Sequence, residues 1–140
     1  SGMALSLEDY LAWPHLQVSG GGDKDSPVEQ VLAPRWLSRR WFARVPFFQA
    51  AVEVLLRTDC LMTTPAHIAW QLSREHALSF CDLPFATRVQ QYHLLWHQRH
   101  HLDPAHRWFR ELAYPFLRDH LQFTLGESRK QLARGPQVSR

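Results

Sequence analysis

Residues 40–65 read Arg-Trp-Phe-Ala-Arg-Val-Pro-Phe-Phe-Gln-Ala-Ala-Val-Glu-Val-Leu-Leu-Arg-Thr-Asp-Cys-Leu-Met-Thr-Thr-Pro, a strand, a helix and a second strand with almost no linker. Phe47, Ala51 and Leu55 recur at four-residue steps, and Phe48, Val52 and Leu56 lie beside them. Gln49, Glu53 and Arg57 form the opposite stripe, with Glu53 and Arg57 in the favourable i,i+4 order. The flanks Trp41–Val45 and Cys60–Thr64 are too short for helices and end at Pro46 and Pro65, so they read as strands. Such a βαβ unit sets the start of its helix beside the carboxyl ends of parallel strands, where open α/β sheets bind ligands.

Working outward, helix starts are marked by side-chain caps. Ser6 with Asp9, and Ser26-Pro27 with Glu29, supply N-cap serines followed three residues on by an acid. Thr64-Pro65 and Asp103-Pro104 supply caps with proline at the first helical position. Apolar runs at His15–Ser19, Leu78–Asp82 and Val89–His97 add three expected strands. The alternation predicts a mostly parallel α/β sheet flanked by helices. The linker before Val89 is too short for a crossover helix, so that strand is expected to run antiparallel to its neighbour or to leave the sheet. Trp108, Phe109 and Leu112 give the last helix an apolar face, which Pro115 is expected to interrupt or kink.

Composition narrows the function classes. A chain of 140 residues, 45% hydrophobic and 21% charged, is enough for one folded unit without disulfides or metal. The net charge of +3 is dispersed, with no basic run interleaved with aromatics, which argues against a nucleic-acid surface. No apolar run approaches the ~20 residues of a membrane span. Cys60 and Cys81, without a CxxC spacing, read as small buried hydrophobes of a reducing compartment, so the cytoplasm is expected. Ser1-Gly2-Met3 reads as an expression scar, and the abrupt opening on a capped helix suggests a fragment.

Chemical motifs are sparse. Gly20-Gly21-Gly22 has neither the GxGxxG nor the GxxxxGK[ST] spacing, leaving a flexible loop or, with Ser19, a loop lining a carboxylate-sized pocket. Residues 93, 95 and 97 of a strand would share one side, but His93, His97, His100, His101 and His106 have only Asp103 as a nearby carboxylate and no cysteine. Neither metal nor cofactor is expected. No Gly-x-Ser-x-Gly elbow occurs, and Glu8, Asp9, Glu29, Glu53, Glu75 and Glu111 fall at helix starts or on polar stripes. No catalytic set emerges. Phe47 and Phe48 point about 100° apart on a helix, so one is expected to pack on the sheet while the other faces the cleft.

Taken in order, Ser6 to Ser19 (Ser-Leu-Glu-Asp-Tyr-Leu-Ala-Trp-Pro-His-Leu-Gln-Val-Ser), Arg44-Val-Pro-Phe-Phe, Thr58-Asp-Cys-Leu-Met-Thr-Thr-Pro, Leu94-Leu-Trp-His and Asp103-Pro-Ala-His-Arg-Trp carry a family signature. The chain resembles the C-terminal effector-binding region of LysR-type transcriptional regulators, and more narrowly the branch that senses aromatic acids and related compounds. The match runs in register from about Leu5 to Leu112.

The resemblance implies one lobe of a type-2 periplasmic-binding-protein-like fold, with a returning hinge strand and a C-terminal helix. Residues 4–98 would be the second lobe with the hinge strand, 99–125 the helical segment and 126–140 a flexible tail. The first lobe and a DNA-reading helix-turn-helix would precede it. DNA contact would come only through that missing domain, the protein would be a cytoplasmic homo-oligomer, and it would not be an enzyme. The family's effector contacts map onto Val18, Ser19 and Gly20 and onto Pro46, Phe47 and Phe48. Relatives in the aromatic-sensing branch carry histidine where this chain has Phe47, and a phenyl removes that hydrogen-bond donor. The expected effector is therefore a small aromatic or apolar molecule. The alternatives from other classes are a stand-alone small-molecule-binding or protein-interaction α/β module and a small α/β enzyme.

Overall fold

The computed structural model describes residues 5–19 and 26–135. Three strands make one parallel sheet, with β1 (Pro14–Val18) between β2 (Arg40–Val45) and β3 (Leu61–Met62). Five helices surround or extend it: α1 (Leu7–Ala12), α2 (Pro27–Leu32), α3 (Phe48–Leu55), α4 (Ala66–Glu75) and α5 (Pro104–Arg134). This is the α/β class expected from the alternation of apolar runs and caps.

Local chemistry starts three of these helices. Ser6 Oγ accepts the Asp9 amide at 3.0 Å, Ser26 Oγ accepts that of Val28, and Asp103 Oδ1 accepts that of His106 at 2.9 Å. Each bond satisfies an amide that the first helical turn leaves without a partner. Glu53 and Arg57 form the expected exposed ion pair on α3 at 2.9 Å.

β1 is shielded on both faces. Along it, His15 and Leu16 point to opposite sides and both are fully buried. One face is closed by Tyr10 of α1 with Val28 and Leu32 of α2, and the other by Ala51 of α3 with Cys60. A bulge in β2 matches its side chains to these faces. His15 is opposite Trp41 and Leu16 opposite Ala43, which leaves Phe42 unpaired. Trp41 thus packs edge-on to His15, whereas Ala43 and Val45 join the Leu16 cluster.

A polar chain crosses the His15 face. Arg39 is buried in a two-pronged pair with Glu29 of α2, and its guanidinium lies 4.3 Å from the Trp41 ring centre. His15 Nε2 is 2.7 Å from the Tyr10 carbonyl, which can only accept, so Nε2 carries the proton and the partnerless Nδ1 is bare. Burial holds the His15 pKa below 6.5 and the Arg39 charge acts the same way, against the raising influence of the Tyr10 carbonyl and Glu29.

Several expectations do not hold. Residues 78–82 and 89–97 form no strand. Val89 and Leu95 project into solvent, and without a neighbouring ladder an alternating apolar pattern cannot become a strand. The hinge strand is therefore not formed in this chain. Helix α4 begins one residue later than expected, with Pro65 at its N-cap, so the Thr64 hydroxyl caps nothing and is buried without a partner. Pro115 does not end α5: it removes one backbone bond, and the helix runs through it and through Gly126 to Arg134. Cys60 is buried as expected, but Cys81 is exposed.

Two stability measurements follow from this core. Leu16→Ala, at a side chain 1% exposed, should lower the unfolding free energy by about 2–5 kcal/mol in a urea titration. Leu95→Ala, at 86% exposure, should change it by less than about 0.5 kcal/mol; equal losses would show that the core is not organised around β1. Because His15 binds a proton more weakly folded than unfolded, stability is undiminished above pH 6.5 and falls as the pH drops toward the lowered value. The slope is up to about 1.4 kcal/mol per pH unit, and His67 on α4, lowered by burial and by His120, adds to it. Urea midpoints from pH 7 to 5, with a proton-NMR titration of His15, check this. A His15 ring that titrates at 6.5 or above contradicts it.

Candidate functional site

The connections that leave β1 and β2 diverge. The chain leaves β1 for α2 on the Tyr10 face, and leaves the adjacent β2 for α3 on the Leu16 face. Two neighbouring parallel strands whose exits go to opposite faces open a crevice outside their carboxyl ends. Val18 pairs with Val45 there, and the Ser19 amide donates to the Val45 carbonyl at 3.0 Å, so the two exits are tied together.

Pro46 ends β2 and turns the chain into α3. Phe47 is the N-cap, in extended conformation, and no side chain caps the helix. The first amides of α3 therefore open toward this crevice with the positive end of the helix dipole. Phe47 is 68% exposed and Phe48 37%. Neither phenyl belongs to the core, contrary to the expectation that one would pack on the sheet. Ala51 and Val52, a turn later, are the buried residues of α3, and Val54 and Leu55 pack beside Ala51 against the Leu16 cluster.

The structure thus brings together Val18, Ser19, Pro46, Phe47 and Phe48, while Gly20 lies outside the described residues. Val18 and Ser19 are half-buried and Pro46 is exposed. Phenyl faces and a few backbone donors are means of holding a small molecule. Among the described residues no group of three or more His, Cys, Asp or Glu side chains could hold a metal ion.

A second feature was not legible in the sequence. A pocket of about 200 Å³ lies beside the free edge of β3, bounded by α1, α4 and residues 78–83. Reading 78–82 as a strand hides it, because a paired strand would fill that edge. Cys60 and Cys81 both line it, and although Cys81 is exposed, partial desolvation of its thiol and the Asp82 charge push its pKa up from the usual value.

Comparison with known proteins agrees with this architecture. The model of the LysR substrate binding domain matches residues 1–118, and the chain belongs to that family. It is 28% identical over 115 residues to the HTH-type transcriptional activator NahR of Pseudomonas putida, covering 82% of this chain and 38% of NahR. It is 30% identical over 114 residues to Nodulation protein D 1 of Sinorhizobium fredii, covering 77% and 34%. The chain therefore spans between a third and two-fifths of the length of these relatives. A crystal structure from Vibrio parahaemolyticus, described as that of a transcriptional regulator, superposes with a TM-score of 0.63 at 25% identity, covering 89% of this chain and 56% of that one. Among the described residues no helix is long and apolar enough to cross a membrane.

Proposed function

We propose that this chain is the ligand-facing part of the effector-sensing domain of a LysR-type transcriptional regulator. A small aromatic or otherwise apolar molecule rests on Phe47 and Phe48, beside the ends of β1 and β2, and a first lobe encoded upstream closes over it. The observation that carries the reading is the pair of exposed phenyls where the neighbouring strands β1 and β2 send their connections to opposite faces. Binding shifts the angle between lobes and so the arrangement of N-terminal DNA-reading domains in a cytoplasmic oligomer. The chain itself performs no catalysis and reads no DNA.

Calorimetry of apolar and carboxylate-bearing aromatics against a longer protein that includes the upstream lobe tests the site. Phe47→Ala should weaken an apolar aromatic by about tenfold, the scale set by losing part of a buried phenyl contact. Phe47→His should shift preference toward carboxylates. If neither substitution alters the binding of any aromatic, the placement at Phe47 is wrong.

The same reading bears on assembly. Trp108, Leu112 and Phe116 recur at four-residue steps on α5 and are all exposed. Later turns of α5 are covered by α4, through the edge-on pair of Trp70 and Phe123 and through buried Thr124 and Ser128. Since residues 89–97 offer no strand edge, the apolar stripe of α5 is the surface through which the isolated chain self-associates. Light scattering should show dimers or larger species at crystallisation-like concentration, and Phe116→Glu should return the chain to monomer. A strictly monomeric parent chain contradicts this.

A further inference from the structure

Residues 89–101 lie in the connection from α4 to α5 without joining the sheet, and histidine side chains meet them at both ends. Toward one end, the Tyr92 ring stands edge-on to His67 of α4 at 5.4 Å. Toward the other, residues 98–100 make a single turn whose His100 ring stacks on His106 of α5, with centres 5.2 Å apart and planes 9° from parallel. Arg110 fastens that turn. Its guanidinium donates to the His100 and His101 carbonyls at 3.1 and 3.0 Å and lies 4.5 Å from the Trp96 ring centre.

The imidazoles at this second end are held as acceptors. Arg110 Nη1 donates to His106 Nδ1 at 2.7 Å, Arg99 Nε to His100 Nε2 at 2.9 Å, and the Trp96 indole N–H to His101 Nδ1 at 3.4 Å. Guanidinium and indole can only donate, so each of these ring nitrogens is bare and each ring neutral. An imidazolium carries a proton on both nitrogens, and no rotation of the ring restores an acceptor.

The surrounding charges act in the same direction. Arg99 and Arg110 set two positive charges against the stacked pair, while Asp103, whose carboxylate interacts with both rings, answers one of them. Arg107 is taken up by Glu111 at 2.9 Å, and His97 stands edge-on to His100 at 6.5 Å. Protonating His100 and His106 would gather four cations around one carboxylate. At the Tyr92 end, burial and the neighbouring His120 of α5 hold the His67 pKa below its ordinary value.

We propose that residues 89–101 form an acid-released strap, held to α4 and α5 by neutral histidines and freed when those histidines are protonated. The fastened form binds protons more weakly than the free one, so falling pH favours release. Histidine is the side chain that changes charge between about pH 8 and 5, and the strap passes from fastened to free across that range. It shares no residue with the strand-end cluster.

Every contact lies within this chain, so the whole chain serves for the test. NMR relaxation and ring-to-ring cross-peaks are read at pH 7.5 and at pH 5. The order parameters of residues 92–101 should fall from the rigid value of about 0.85 to below about 0.6, and the Tyr92–His67 and Trp96–Arg110 cross-peaks should disappear, while β1 stays rigid. His100→Gln and His106→Asn replace each bare nitrogen by an amide oxygen that accepts without titrating, and His67→Phe keeps a ring against Tyr92 without its charge. The triple variant should hold the strap at pH 5 as it does at pH 7.5, and Arg110→Met should loosen the Trp96 end at both. A strap in the unsubstituted chain that stays rigid at pH 5 overturns the proposal, and this measurement decides the matter even if a variant fails to fold. Acid release in a folded triple variant equal to that of the unsubstituted chain overturns it as well.

Discussion

The parallel ladders on either side of β1 are the constraint from which the other features follow. A parallel strand cannot be reached by a tight turn, so each ladder needs a connection long enough to cross a face of the sheet. With His15 and Leu16 both out of contact with water, neither face of β1 can stay bare. The passage from β1 to β2 through α2 covers one face, and the passage from β2 across to β3 through α3 covers the other. The crevice at Val18 and Val45 is a consequence of that division, since it lies where the two connections part.

The ion pair at the other end of β2 from this crevice shows how the start of the strand is held. Arg39 immediately precedes β2, bonds to Glu29 on α2 and lies over Trp41. Removing one charge from such a pair would leave the other without its partner, so the arrangement specifies geometry more than it adds net stability. Trp41 in turn touches His15 at the centre of the sheet. The phase of β2 is thus set at its first residues, and the bulge at Phe42 then directs Ala43 and Val45 to the opposite face. Phe47 and Phe48 follow directly from where Val45 ends.

Legibility in the sequence divides along the same line between local and distant causes. The Ser6, Ser26 and Asp103 caps act within four residues, and all three form. The βαβ reading of residues 40–65 rests on proline punctuation and helical spacing, and its elements are present, although β3 keeps only Leu61 and Met62. Strands at 78–82 and 89–97 could not be judged this way, because a strand depends on a partner that can lie far off in the chain. Thr64 fails for a subtler reason: the Thr-Pro pair is a sound start signal, but α4 begins one residue late and strands the hydroxyl. At the candidate site, five of the six residues named from the sequence lie together because β1 and β2 end in register. That both phenyls would be exposed depends on how far α3 stands from the sheet at its first turn, which spacing alone does not encode.

Exposure of Phe47 and Phe48 gains sense when weighed with the apolar stripe at the start of α5. Burying a phenylalanine is worth about 1.5–3 kcal/mol, and a chain that leaves several such groups in water has forgone that stabilisation within these residues. Both surfaces lie where the proposed function needs partners: one at the mouth of a cleft, the other along a helix that outruns its neighbour. A ligand can shift a conformational equilibrium only by its difference in affinity between the two states. A molecule resting at the strand ends meets the connections to α2 and to α3 at once, and those run on opposite faces of one sheet. Under the proposed function, closing a second lobe onto that point would bury the phenyls only in the closed arrangement, and that would supply the difference in affinity that sensing requires.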